Sequence, residues 1–393
     1  MPYDFETLVS RKNTGSSKWN SMYNSVKDEL SDDIIPFSIA DMDLKHPPQI
    51  TKALQNYVAE NILGYTHPHP AYTDAVCHWM KTRHNWEVEA EWIIPFPGIV
   101  PAVYGIVRTF TEPDDGIIIM PPVYYPFYSA ISSNGRKTVE NLLIDNNGHY
   151  EIDFADLEEK AKDPKNTMLI FCSPHNPVGR VWTPEELEKV GQICLDNHVL
   201  LVSDEIHFDL VMPGYHHTVL STVNPAFAAN TIVCTAPTKT FNLAGLNVSN
   251  LVIQNDTLRS KFKNYIESLG QIGVNALGLK ACQVAYTECA DWLDNLIALL
   301  DTNKKLCENF MKEHIPQIEV RTLEGTYLQW WDCRKLNLSE KELEKLNQEK
   351  AFLFLDEGYI FGKSGSGFER INLACPTAYI EKALLRLEKA LEN

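Results

Sequence analysis

Short, wholly apolar runs alternate with amphipathic segments through the middle of the chain. Met168-Leu169-Ile170-Phe171-Cys172, Leu200-Leu201-Val202 and Thr231-Ile232-Val233-Cys234 read as strands buried on both faces of a parallel sheet. Residues 183–194, between two of them, carry the apolar spacing of an amphipathic helix, and residues 103–107 form an apolar, helix-compatible run. This alternation predicts an α/β class, with a doubly wound large domain and a mainly parallel sheet. From Gly278 onward helical patterns dominate: residues 279–313 predict one long helix, straight or kinked, leading into a smaller α+β domain. A chain of 393 residues, 44% hydrophobic, exceeds the usual size of one compact domain, so two are expected. The expected division is a large domain over 48–285 and a small one built from 1–47 and 286–393. No internal repeat, low-complexity tract or flexible linker interrupts the pattern.

The ends of the apolar runs carry chemistry. Residues 235–245 follow one strand and set Lys239 among small and hydroxyl-bearing side chains, with Thr238 beside it. Partial burial near other cationic groups lowers a lysine's proton affinity, as a Schiff-base amine requires, and a neighbouring hydroxyl can bind phosphate. Such a position suits pyridoxal 5'-phosphate. The run 200–204 ends in Asp204, and a buried aspartate keeps a pyridoxal ring nitrogen protonated so that the ring can accept electrons. Upstream, Ser173-Pro174-His175-Asn176-Pro177-Val178-Gly179-Arg180 is a rigid turn that aims the Asn176 amide at a ligand. Taken singly, the three have ordinary readings as turn residue, helix cap and surface charge.

The order Asn176, Asp204, Lys239, each at the end of an apolar strand, resembles the fold-type-I pyridoxal phosphate enzymes, which include the aspartate aminotransferases. That resemblance implies that Asn176 donates to the phenolic oxygen of the cofactor, that Asp204 pairs with its ring nitrogen and that Lys239 carries it. Within this superfamily the chain is more similar to the C–S β-lyases of the MalY/PatB type, nearly end to end. The likeness is carried by residues 11–19, by Ile39-Ala40-Asp41-Met42-Asp43 with Pro47-Pro48, and by Gly64-Tyr65-Thr66. It continues through 97–101, Tyr124-Tyr125-Pro126-Phe127, 174–182, Ser203-Asp204-Glu205-Ile206-His207 and 365–372. On this resemblance His207 belongs to the cofactor site and Ala40 to the substrate site. Ser38, Leu44 and Ser173 depart from the subfamily pattern on the substrate side. The arginine that aminotransferases carry shortly after the lysine is also missing, so other groups must hold the phosphate.

Gly98-Ile99-Val100 is the expected phosphate cradle, because a glycine turn opening a helix offers outward main-chain amides and a favourable dipole. Thr238 adds a hydroxyl, and the resemblance adds Tyr125 and a Tyr65 donated by the neighbouring subunit of a homodimer with shared active sites. Tyr124 is expected against the pyridine ring, where stacking restrains tilt. Tyr124, Tyr125, Phe127 and Tyr128 otherwise read as a core aromatic cluster. Arg370, entering a strand through Ile371-Asn372-Leu373-Ala374, is the candidate for the substrate carboxylate, which a guanidinium fork binds through two parallel hydrogen bonds.

Charge and composition narrow the field. A net charge of −17 with no basic run argues against nucleic-acid binding. The start Met1-Pro2-Tyr3-Asp4 lacks a signal-peptide pattern, and no apolar run approaches a membrane span. Nine scattered cysteines without a Cys-x-x-Cys pair fit a reducing cytoplasm. His67 and His69 have metal-like spacing but no matching carboxylates, so no metal is expected; His216-His217 reads as a loop pair near the mouth of the site.

The activity that the resemblance implies is α,β-elimination from cystathionine, cysteine or another S-substituted L-cysteine. Arg370 would hold the carboxylate and Lys239 would take the Cα proton; the products are a thiol (homocysteine or hydrogen sulfide), pyruvate and ammonia. The alternatives are a class I/II aminotransferase using the same residues and a regulatory protein on the same fold.

Overall fold

The computed structural model describes residues 3–26, 30–270 and 273–392. Thirteen strands are present among them: β1 (Ile93–Phe96), β2 (Gly116–Ile119), β3 (Lys137–Glu140), β4 (Ile144–Asn146), β5 (His149–Glu151), β6 (Asn166–Cys172), β7 (Leu200–Asp204), β8 (Thr231–Thr235), β9 (Ser249–Val252), β10 (Glu319–Val320), β11 (Leu328–Asp332), β12 (Asp356–Glu357) and β13 (Phe368–Asn372). Seven of them form the main sheet, in the order β1-β9-β8-β7-β6-β2-β3. The pairs β2–β3, β2–β6, β6–β7 and β7–β8 are parallel, and β9 alone runs against its neighbours β1 and β8. This is the expected mainly parallel α/β sheet.

Successive side chains of these strands point to opposite faces. Ile117, Ile119, Met168 and Ile170 join one apolar cluster, with the helix Ile99–Phe110; Ile118, Leu169 and Phe171 join the cluster on the other face, under the helix Pro184–Asp196. Both faces are covered, which is why the strand sequences lack polar alternation. Pro184–Asp196 begins at a capping box in which Thr183 and Glu186 satisfy each other's backbone amides.

The register of the central strands levels their carboxyl ends: Cys172 lies opposite Asp204, and Asp204 opposite Cys234. A ligand at this edge meets the loop after β6, the last residue of β7 and the turn after β8.

A second, antiparallel sheet has the order β10-β11-β13-β12. The amino-terminal segment reaches it directly: Phe37 N donates to Phe354 O at 2.7 Å and Asn372 N donates to Phe37 O at 2.8 Å.

The single helix expected over 279–313 is two helices, Ala276–Glu288 and Ala290–His314, parted at Cys289 (φ −118°, ψ 18°). The first packs on the helices Pro48–Glu60 and Pro70–His84, the second on Thr377–Glu392. The two helices thus pack on different neighbours, and no proline or glycine marks the break between them. The second correction concerns His217, which is buried rather than at a mouth, its Nε2 within 2.8 Å of Glu205 Oε2. His69 caps the helix Pro70–His84, its Nδ1 accepting from Ala71 N at 3.2 Å.

Candidate active site

A cavity of about 210 Å³ opens at the levelled strand ends. Its walls include Gly98, Ile99, Val100, Tyr124, Asn176, Asp204, His207, Thr238, Lys239 and Ala40, so ten of the residues singled out in the sequence meet at one place. Three others stand apart. Tyr125 is 40% exposed, its ring 6.0 Å from that of Phe361 rather than on the cavity wall. Tyr65 is fully exposed, and Arg370 is buried behind the wall on β13.

Lys239 sits in the short helical turn Pro237–Thr240 that comes after β8, so the strand end carries its amine into the cavity. Nζ donates to Ala40 O at 2.5 Å. Burial holds the amine down to about 8; Arg370 pushes the same way, while Asp41 and Asp204 oppose it. Asp204, at the end of β7, is buried and accepts from Ile206 N at 3.2 Å. Burial raises its carboxyl to about 7 against the pull of that hydrogen bond and of Lys239. A buried carboxylate in this state gains most from a cationic N–H placed against it.

Asn176 lies just beyond β6, and its Oδ1 accepts from Arg370 Nη1 at 2.8 Å. Arg370 Nη2 pairs with Asp356, and the guanidinium lies 4.7 Å over the Phe361 ring. Its Nε is buried without a partner, as is His207 Nδ1. Burial pushes the His207 imidazole well below its usual range, so it is neutral. Gly98 has φ +106°, a conformation that favours glycine, and caps the helix Ile99–Phe110 whose first turn faces the cavity.

Sequence reasoning missed several members. Asp356 ends an apolar run, Leu353-Phe354-Leu355, just as Asp204 ends its own, and that signal could have found it. Tyr327, whose hydroxyl donates to Ala40 O at 2.9 Å, had none. Asn247 lines the cavity three residues beyond Ala244, in the loop that lacks the aminotransferase arginine.

The model for aminotransferases of class I and II matches residues 32–387. The chain is 39% identical to cystathionine β-lyase PatB of Bacillus subtilis over 390 residues, covering 99% of this chain and all of that one. It is 30% identical to the protein MalY of Escherichia coli, with 99% of each covered. The chain belongs to the MalY/PatB-type branch of the class I and II aminotransferase family. Among solved structures, cystalysin from Treponema denticola, which contains a pyridoxal 5'-phosphate cofactor, superposes with a TM-score of 0.98 at 48% identity, over 100% of this chain and 99% of that one.

The cofactor of this family fits the residues present. The cavity offers a half-buried amine of lowered proton affinity, a carboxylate wanting a cationic partner, an unpartnered imidazole nitrogen and a helix amino terminus opened by a positive-φ glycine. No group of three or more His, Cys, Asp or Glu side chains suited to a metal occurs among the described residues.

Proposed function

We propose that this protein is a pyridoxal 5'-phosphate-dependent carbon–sulfur β-lyase that cleaves cystathionine, cysteine or related S-substituted L-cysteines to a thiol, pyruvate and ammonia. The observation that carries it is the Lys239 amine, half-buried in the cavity wall, held down to about 8 and level with Asp204 and Asn176 at adjacent strand ends.

Each residue has a task in that reaction. The main-chain amides of Ile99 and Val100 and the Thr238 hydroxyl would hold the phosphate, while Gly98, expected to offer its own amide, instead donates it to Phe96 O at 2.8 Å and serves to shape the turn; Asp204 would pair with the ring nitrogen, and Asn176, His207 and Tyr124 would hold the ring. Bound there, pyridoxal phosphate supplies a conjugated system that accepts the electron pair left by a broken Cα–H bond. Arg370 binds the substrate carboxylate, and its unpartnered Nε is a donor still to be satisfied. That grip fixes which Cα substituent faces Lys239. Lys239 Nζ then takes the Cα proton, and an amine that titrates near 8 is a competent base at neutral pH. Ala40 lies beside the reacting amine on the substrate side.

The working unit is proposed to be a homodimer in which Tyr65 of one subunit, with Tyr125 of the other, completes the other's phosphate site. What supports this is the exposure of Tyr65 together with Ile62 (93%) and Leu63 (62%) on one loop, an apolar group that a second copy would cover. The proposed division places the cofactor on a domain of 48–285, containing the main sheet, and Arg370 on a second domain of 1–47 and 286–393. The proposed compartment is the cytoplasm, in line with nine free cysteines. No helix among the described residues is long and apolar enough to cross a membrane.

The test is turnover of cystathionine and cysteine without an oxo-acid acceptor. Repeated release of pyruvate supports elimination. A single stoichiometric conversion that stops without an acceptor supports transamination and overturns the lyase reading.

A further inference from the structure

Ile39 stands at φ +44°, a left-handed conformation that is a genuine outlier for a β-branched residue and has to be held by its surroundings. The holding groups are specific. Ile39 N donates to Asp356 Oδ2 at 2.9 Å, and Asn372 Nδ2 donates to Ile39 O at 2.9 Å and to Asp41 O at 2.7 Å. Between those two carbonyls lies that of Ala40, which accepts from both Lys239 Nζ and the Tyr327 hydroxyl. Residues 39–41 thus form a strap that carries the acceptor for the Lys239 amine.

The oxygen of Asp356 that binds Ile39 N also receives Arg370 Nη2. One buried carboxylate oxygen therefore joins the guanidinium to the strained backbone. A carboxylate serving only to neutralise an arginine needs no bond to a strained main-chain amide.

We propose that Asp356 is a positioning residue that couples occupancy of Arg370 to the strap 39–41 and, through the Ala40 carbonyl, to the Lys239 amine. This rests on the reading of Arg370 as the group that binds the substrate carboxylate. A guanidinium has five N–H donors, so Arg370 can accept a second anion while keeping Asp356 and Asn176. Its charge is then shared between two carboxylates. Asp356, less neutralised, becomes the stronger acceptor for Ile39 N–H, and the strap tightens. Binding at one end of the substrate in this way steadies the amine that acts at the other.

The experiment uses wild-type holoenzyme and the Asp356→Asn variant, with propionate as a carboxylate that cannot turn over and whose binding is measured by competitive inhibition. Hydrogen exchange is followed by mass spectrometry on the peptide containing 39–41. In wild type, propionate should slow exchange of the strap by at least about fivefold, the lower end of typical coupling. In Asp356→Asn, bound propionate should leave the strap unchanged, and kcat should fall roughly 10- to 100-fold, as expected for a misplaced base, with KM changing far less. The wild-type arm needs no variant to fold, and Asp356→Glu, which retains the charge, should recover part of the coupling. An active wild type whose strap ignores bound propionate, or an equal response in Asp356→Asn, overturns the coupling alone. A wild type without lyase turnover overturns the functional reading and the coupling with it.

Discussion

Arg370 Nη1 donates to Asn176 Oδ1 across 2.8 Å, joining a strand of the second sheet to the loop after β6 of the main sheet. The arginine is thereby oriented from outside its own sheet. Arg370→Lys keeps the charge but loses the fork and the Asn176 anchor. Charge-assisted hydrogen bonds are worth about 1.5–3 kcal/mol, so KM for an S-substituted cysteine should rise roughly 10- to 100-fold. Steady-state kinetics with cofactor content held at wild-type level will check this; an unchanged KM would remove Arg370 from the substrate site.

Lys239 is expected to carry the cofactor. Purified protein should be yellow, and borohydride reduction should fix the cofactor to the peptide containing Lys239. An adduct mapped to any other lysine would sink the assignment. Because the amine titrates at about 8, cofactor uptake by the apoprotein should accelerate as pH rises through 8, where a solvated lysine would respond only near 10.5. Lys239→Ala should lower turnover by at least about 100-fold.

Asp204 carries opposite signs for function and for stability. Its folded pKa of about 7 lies above the ordinary 3.8, so the neutral form is favoured on folding; that contribution is full below 3.8 and is lost as pH rises through about 7. Asp204→Asn should therefore raise the melting temperature of the apoprotein most at pH 8, and by progressively less as the pH falls towards 3.8. Activity should move the other way: Asp204→Ala should lose about 100- to 1000-fold in turnover at saturating cofactor. Near-normal turnover would show that the ring nitrogen has no need of it.

Tyr65 supplies the test of assembly. Tyr65→Phe should weaken cofactor retention without altering the fold. Mixing inactive Tyr65→Ala with inactive Lys239→Ala subunits should restore activity, since a mixed dimer regains one intact site. A mixture that exchanges subunits and stays dead would place Tyr65 within its own chain.

The parts of the site read from hydrophobic pattern alone are those at the ends of apolar strands in the main sheet. Asn176, Asp204 and Lys239 announce themselves because burial on both sheet faces forces the preceding residues to be apolar. Helix endings were less visible: the break at Cys289 parts two helices that pack on different neighbours, which no local pattern records. Least visible was the positive φ of Ile39, since a β-branched residue gives no hint of left-handed backbone and its partners lie hundreds of residues away.

The distance between those partners bears on how the protein is made. Ile39 leaves the ribosome 317 residues before Asp356 and 333 before Asn372. At about 5–20 residues per second the early segment waits on the order of tens of seconds for the groups that satisfy its backbone. During synthesis the main sheet can assemble, but the amine of Lys239 has no Ala40 carbonyl fixed beside it until the last strand is in place. A nascent chain stalled before Phe368 would hold Lys239 and lack the means to orient its amine, so the amine is positioned only once Phe368–Asn372 has been made.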